Sequence, residues 1–397
     1  MHQKRLYGLD WLRVFAFGIL ILYHTGMVFV GWQFHLMNPE TLDSLKIPMT
    51  FFHHWRLALL FVISGAGTWF ALRGRTTGVF CRDRLKRLLL PLVFTMFWIV
   101  PPQIYVERLA QGHTYTSYWA FQRTVFDMVP YPEGSFSWHH LWFVAYLLCY
   151  TLLLLPLMVW FRGPRGAETL IRVRTLLGRH SWLLFSLGFV NMALNLALRP
   201  FWPETTHALI DDWATFARYG FLFFAGYLVL GDPKLAARLK DTCFKATGAA
   251  LAIYVLGSSL WPFVENQPWS QVFAYAARDN FTWIVILGVT GLALRLLDFS
   301  NAWLRYANEA VYPFYILHQT VTLILAYWVI PLDWHPWPKF FVVAVGTFAL
   351  CGLLYESLIR RFSLLRLLFG MKPLPASPRP EPTPKPETAP LDDMIRS

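Results

Sequence analysis

The stretch WLRVFAFGILILYHTG, residues 11–26, is apolar enough to lie in hydrocarbon, yet it carries Arg13 and His24. Ionisable groups are costly there, so two of them on one segment call for a function. On an α-helix eleven residues turn through about 1100°, three turns plus roughly 20°, so the two side chains share a face about 16 Å apart along the axis. This register sets Arg13 near one membrane surface and His24 near the middle. A neutral imidazole near pH 7 is the most useful general base among the side chains. Two blander readings stand beside that one: Arg13 as an arginine that snorkels to the interface, and His24 as a hydrogen-bonder between helices. Asp10, three residues before Arg13, is placed to pair with it at the helix entry.

Other polar residues interrupt apolar runs. FFHHWRLALLFVISGAGTWF, residues 51–70, offers Ser64 and Gly65, a hydroxyl and a close-approach point that would equally suit a small-residue helix contact. VYPFYILHQTV, residues 311–321, sets His318 and Gln319 in hydrocarbon, where His318 can line the same cavity as His24. FCRDRLKRLLLPL, residues 80–92, puts Arg84 and Arg87 one helical turn apart. Two planar guanidiniums on one face suit phosphate oxygens, or else fix topology and touch anionic lipid. The adjacent pairs His53-His54 and His139-His140 make a poor chelate, because neighbouring helical positions point about 100° apart. No acidic or Cys partner stands at ligand spacing, so no metal is expected. Both pairs fall at span ends, where they can meet an acceptor outside the cytoplasm.

The elements that must position these residues are legible in the composition. Of 397 residues 56% are hydrophobic and only 15% charged, against about 25% charged in a soluble domain. The 19 Trp, 17 Tyr and 34 Phe suit belts of rings at two membrane–water interfaces. The fold class is an all-α integral membrane bundle. Spans of about 20 residues are expected in ten places: 11–32, 52–72, 88–106, 140–161, 181–199, 213–230, 244–264, 281–298, 310–330 and 339–358. The first of these is read as a span and not as a cleavable signal peptide, since it carries internal polar groups.

Arg73, Arg75, Arg82, Arg84, Lys86 and Arg87 cluster between spans two and three, and Arg162, Arg165, Arg172, Arg174 and Arg179 between spans four and five. Opposite loops are sparse, with Lys46 in the first, Arg108 and Arg123 in the second and Arg278 in the fourth. The bias places both termini in the cytoplasm. Much of the net charge of +12 is therefore topology, and no nucleic-acid partner is expected. Cys81, Cys149, Cys243 and Cys351 form no CxxC pair and read as free thiols. Residues 5–365 form the membrane domain, and the Pro-rich stretch 371–397 reads as a disordered cytoplasmic tail.

Taken in order, five blocks resemble the membrane-bound acyltransferase family 3, nearest its periplasmic glucan succinyltransferase-like branch. GLDWLRVFAFGILILYHTG is similar to that family's arginine–ten residues–histidine signature, with Arg13 and His24 at its ends. LLFVISGAGTWFAL resembles its second-span block, and RDRLKRLLLPL its paired arginines, here Arg84 and Arg87. HHLWFVAYLL and YPFYILHQTV are similar to two further blocks. Trp11 stands where many members have a small residue, and the residues after Ser64-Gly65 also depart from the usual pattern.

The resemblance implies transfer of an acyl group from cytoplasmic acyl-CoA, a co-substrate and not a bound cofactor, to a carbohydrate hydroxyl. It implies Arg84 and Arg87 on the CoA phosphates, Arg13 deeper on the donor, and His24 as base or acyl carrier. His318, Ser64 or a backbone amide would steady the oxyanion. The acceptor would be a glucan or other envelope polysaccharide, the surroundings membrane lipid, and the location a bacterial inner membrane. Acetyl and succinyl differ by a carboxylate whose partner would be one more basic residue, with Arg56 a candidate. Two other classes stay open: a proton-coupled transporter or flippase, which also uses mid-membrane His and Arg, and an intramembrane protease built on Ser64.

Overall fold

The computed structural model describes residues 5–374, so the expected tail lies outside the described residues from position 375 onward. Among the described residues there is no strand; an isolated bridge joins Pro130 and Phe136. The chain opens with α1 (Tyr7–Met27), α2 (Lys46–His53), α3 (Arg56–Arg73), α4 (Thr77–Arg84), α5 (Leu90–Trp98), α6 (Pro101–Ala110) and α7 (Tyr118–Arg123). It continues through α8 (Trp142–Leu153), α9 (Leu155–Trp160), α10 (Pro164–Arg179), α11 (Ser181–Phe185) and α12 (Leu187–Leu198). The last third supplies α13 (Trp213–Val229), α14 (Pro233–Val264), α15 (Ser270–Leu296), α16 (Ala302–Val329), α17 (Pro336–Leu354) and α18 (Ser363–Leu368).

Seven helical stretches are long and apolar enough to cross a membrane. They take in seven of the ten expected segments, and the other three are helical as well. α1 is diluted by Asp10, Arg13 and His24, α8 and α9 are separated at Leu154 just before Pro156, and α13 has 17 residues. α14, α15 and α16 each begin earlier than hydropathy suggested. α14 begins at Pro233, capped by Asp232, whose carboxylate accepts from the amides of Lys234 and Leu235 at 2.8 and 3.1 Å. α15 begins at Ser270 and carries Arg278, Asp279 and Asn280 inside it. Those polar residues hid its first turns, and they persist because Asp279 is fully buried among ion-pair partners.

Close packing between α3 and α13 fixes the face that α3 presents elsewhere. A Cβ added at Gly65 would collide with the Phe223 carbonyl, and one at Gly226 with the Val62 carbonyl. Such reciprocal small-residue contacts bring membrane helices together at backbone distance. Of the expected pair, Gly65 therefore packs while Ser64 is turned away. Fully buried rings, among them Phe61, Phe223 and Tyr150, pack together beside this contact. The four cysteines are free thiols, with Cys243 and Cys351 buried.

Candidate active site

His24 lies near the end of α1 and His318 near the middle of α16, and the two meet. His24 Nδ1 is 2.8 Å from His318 Nε2, with the ring planes only 7° apart. His318 is fully buried and its Nδ1 lies 2.7 Å from the Tyr315 carbonyl oxygen. A carbonyl only accepts, so that Nδ1 carries the proton. With both rings neutral, His318 Nε2 is then an acceptor and His24 Nδ1–H donates to it. The lone pair of His24 is left on Nε2, away from His318. One backbone carbonyl thus sets the tautomer of two rings in series, and Pro313, inside the continuous α16, removes one backbone donor just before this turn.

A buried polar network braces the pair from the α6 side. Gln319 Nε2 donates to Gln103 Oε1 at 3.1 Å, Gln103 Nε2 to Thr320 Oγ1 at 2.7 Å, and Thr320 Oγ1 to the Ile99 carbonyl at 2.6 Å. His140 Nε2 donates to the Ile316 carbonyl at 3.2 Å, and its ring meets that of His318 edge-on at 5.2 Å. A buried hydrogen-bonded network of this kind holds its members in one arrangement.

At the other end of α1 a cavity of about 1170 Å³ opens, lined by Arg13, Ser64, Arg84 and Arg87 together. Eight arginines line it against two glutamates. Glu309 pairs with Arg366 at 2.8 Å and Glu356 with Arg360 at 2.9 Å, whereas Arg84 and Arg87 are in no ion pair among the described residues. Asp10 does not line the cavity. It accepts from Arg5 Nε at 2.7 Å and stands 3.7 Å from Arg13, so it holds the two arginines at the helix entry.

The helix bearing Arg84 and Arg87 departs from the α-form through a π-turn at Leu85–Leu89. Pro91 has no N–H for the Arg87 carbonyl, four residues before it, and the widened turn follows from that lost bond. The same carbonyl meets Gly370, where a Cβ would come within 2.8 Å of it. Gly370 has φ +67°, a conformation that costs glycine little. The last described residues, Met371 to Leu374, thereby reach the cavity wall.

Phe17, Phe143 and Tyr315 also line the cavity, and all three are buried. Their rings meet at 5.2 Å for Phe17 with Tyr315 and 6.1 Å for Phe143 with Tyr315. The Tyr315 hydroxyl donates to the His140 carbonyl at 2.5 Å, and its own carbonyl receives the His318 proton. This aromatic floor therefore lies between the arginine-lined space and the histidine pair, with Tyr315 lining the first and bonded to His140 and His318 on the other side.

Sequence spacing missed a second cluster. His35, Glu107 and His139 come together from three distant segments, with candidate ligand atoms all within 4.8 Å. Glu107 accepts from Tyr131 at 2.8 Å and lies 3.0 Å from His35 Nδ1, and His139 Nδ1 lies 2.7 Å from Ser137 Oγ. The imidazoles of His35 and His139 stack with centroids 4.7 Å apart and planes 15° apart. Rings lying face to face do not aim two in-plane lone pairs at one ion, so the arrangement suits hydrogen bonding to a ligand. Separations of 72 and 32 residues gave no local signal for it. Metal-motif spacings are short and act within one element, whereas these three residues come from separate ones.

Residues 6–356 match the acyltransferase domain of acyltransferase family 3. Curated relatives include the glucans biosynthesis protein C of Salmonella paratyphi A (strain ATCC 9150 / SARB42) and that of Salmonella agona (strain SL483). Each is 23% identical over 386 residues, covering 93% of this chain and 95% of the relative. The corresponding protein of Salmonella schwarzengrund (strain CVM19633) is 22% identical over the same length. No solved structure matches the chain. A match that runs from the start of α1 through α17 takes in the histidine pair, the aromatic floor and, of the cavity, Arg13, Ser64, Arg84 and Arg87, and by it the chain belongs to acyltransferase family 3.

Proposed function

We propose that the protein is a multi-pass inner-membrane O-acyltransferase that moves an acyl group, acetyl or succinyl, from cytoplasmic acyl-CoA to a hydroxyl of an envelope carbohydrate. The names of its relatives make a glucan the first acceptor to test. The observation that carries the reading is the free Nε2 lone pair of His24, fixed by His318, beyond a cavity where Arg84 and Arg87 are in no ion pair among the described residues. In this reading ten helices span the bilayer, both termini are cytoplasmic, and the cavity opens to the cytoplasm.

The CoA phosphates sit on Arg84 and Arg87, Arg13 meets the donor deeper in, and the thioester points toward the floor. His24 Nε2 takes the proton of the acceptor hydroxyl as its oxygen attacks the thioester carbonyl. The imidazolium so formed keeps its Nδ1–H on His318, and gives the Nε2 proton to the departing CoA thiolate. Ser64 lies on the cavity wall within the donor's path, where a hydroxyl can serve the carbonyl oxygen.

The test is free-thiol release from acetyl-CoA and succinyl-CoA by the protein in lipid nanodiscs, with a glucan acceptor, for wild type and His24→Ala. Acceptor-dependent release that falls roughly 10²–10⁴-fold in the variant is expected of a lost general base. Release that survives in His24→Ala would remove His24 from the chemistry, and no release with either donor would remove acyl transfer from acyl-CoA.

A further inference from the structure

The two ends of α3 face different spaces. Its later turns give Ser64 to the cavity, and its first residue, Arg56, lies at the opposite end against Tyr23, the neighbour of His24. Arg56 is 2% exposed. Its guanidinium carbon stands 3.4 Å from the Tyr23 ring centroid, while Nε and Nη1 have no hydrogen-bond partner among the described residues. The ring face compensates the charge in part and leaves those two N–H groups unanswered.

Two further guanidiniums share the neighbourhood. The charges of Arg56, Arg218 and Arg278 all bear on the rings of His53 and His54. Asp279 is the buried carboxylate of Arg218 and Arg278, with Arg218 Nη2 at 3.2 Å, Arg278 Nε at 3.3 Å and Asn195 Nδ2 at 2.6 Å. Arg218 Nε and Arg278 Nη2 are buried without a partner. Two cations share that one anion, and Arg56 is in no ion pair among the described residues. The cluster opens outward, since His53 is exposed and the Arg278 side chain keeps 30% of its exposure.

A buried cation without a counter-charge is strongly destabilising. Groups of this kind are kept in membrane helices where a ligand supplies what is missing. We propose that Arg56, backed by Arg218 and Arg278, is an anion subsite on the far side of the histidine pair from the cavity. It receives a carboxylate or phosphate oxyanion carried by one of the two reactants. The planar fork of a guanidinium matches both, and the N-terminal end of α3 adds its dipole. Which reactant brings the anion rests on the acyl-transfer reading; the subsite itself does not.

The experiment therefore has a binding arm and a kinetic arm, both on the full chain in nanodiscs. Thermal unfolding is followed for wild type and Arg56→Gln in chloride, succinate and inorganic phosphate at equal ionic strength. We expect succinate or phosphate to raise the wild-type Tm and to leave that of Arg56→Gln unmoved. In chloride the variant should match or exceed wild type, because it loses an unpaired buried charge. A variant with a lower Tm in chloride shows a structural arginine and overturns the proposal, as does a wild type indifferent to both anions.

The kinetic arm compares acetyl-CoA with succinyl-CoA on a neutral glucan, then a neutral with a phosphate-substituted glucan using acetyl-CoA. The pair in which wild type favours the charged reactant by about tenfold or more, and Arg56→Gln loses that ratio, names the source. A ratio that survives in Arg56→Gln overturns the assignment. Anion-dependent stabilisation without acyl transfer in any combination supports the subsite and rejects the acyl-transfer reading alone.

Discussion

At the scale of single residues, the proposed chemistry rests on a proton of His24 whose place is set through His318 by a main-chain oxygen. The Tyr315 carbonyl decides where the proton of His318 lies, and His318 decides it for His24. His318→Ala removes that acceptor and leaves the Nδ1–H of His24 unpaired, so kcat should fall roughly 10–100-fold with little change in KM for acyl-CoA. His318→Asn keeps an acceptor oxygen near the same place and should recover part of the loss. Steady-state thiol release across both variants checks this, and equal rates in the two would show that His318 does not orient its neighbour. The co-location of these histidines was legible from their depth in two apolar runs. The tautomer was not, because it turns on a main-chain oxygen three residues away.

At the scale of elements, hydropathy found the helices because hydrocarbon admits only sustained apolar segments with their backbone bonds closed. It faltered where a polar residue is paid for by a tertiary partner, as in the early turns of α15, where Asp279 meets Arg218 and Arg278. Arg84 and Arg87 were placed one turn apart on an ideal helix, and they reach one cavity on a helix that is not ideal, through the π-turn before Pro91. If they hold phosphate, Arg84→Gln and Arg87→Gln should each raise KM for acyl-CoA about tenfold, and less for 3′-dephospho-CoA, with kcat nearly unchanged. Initial rates at varied donor concentration decide it; a uniform loss of kcat would assign the pair to structure. The cluster of His35, Glu107 and His139 and the charges around Arg56 escaped the sequence for a shared reason. Their partners come from separate elements, and only the assembled bundle makes them neighbours.

At the scale of the whole molecule, the distribution of Lys and Arg predicts sidedness. With ten spans, a cysteine at exposed His113 should react with a membrane-impermeant thiol reagent on intact spheroplasts, and one at exposed Arg172 only after permeabilisation. The opposite labelling pattern would invert the bundle and put the arginine-lined cavity outside the cell. Between the two sides stands the floor of Phe17, Phe143 and Tyr315, a few rings in contact and no more. Its consequence is bioenergetic. A bilayer that stores an ion gradient cannot tolerate a hole wide enough for a pantetheine arm, since water and protons would follow it. Under the proposed function, closed rings at the meeting point would let the bundle behave as an airlock, in which an acyl chain fills the passage while it is open and the membrane keeps its voltage.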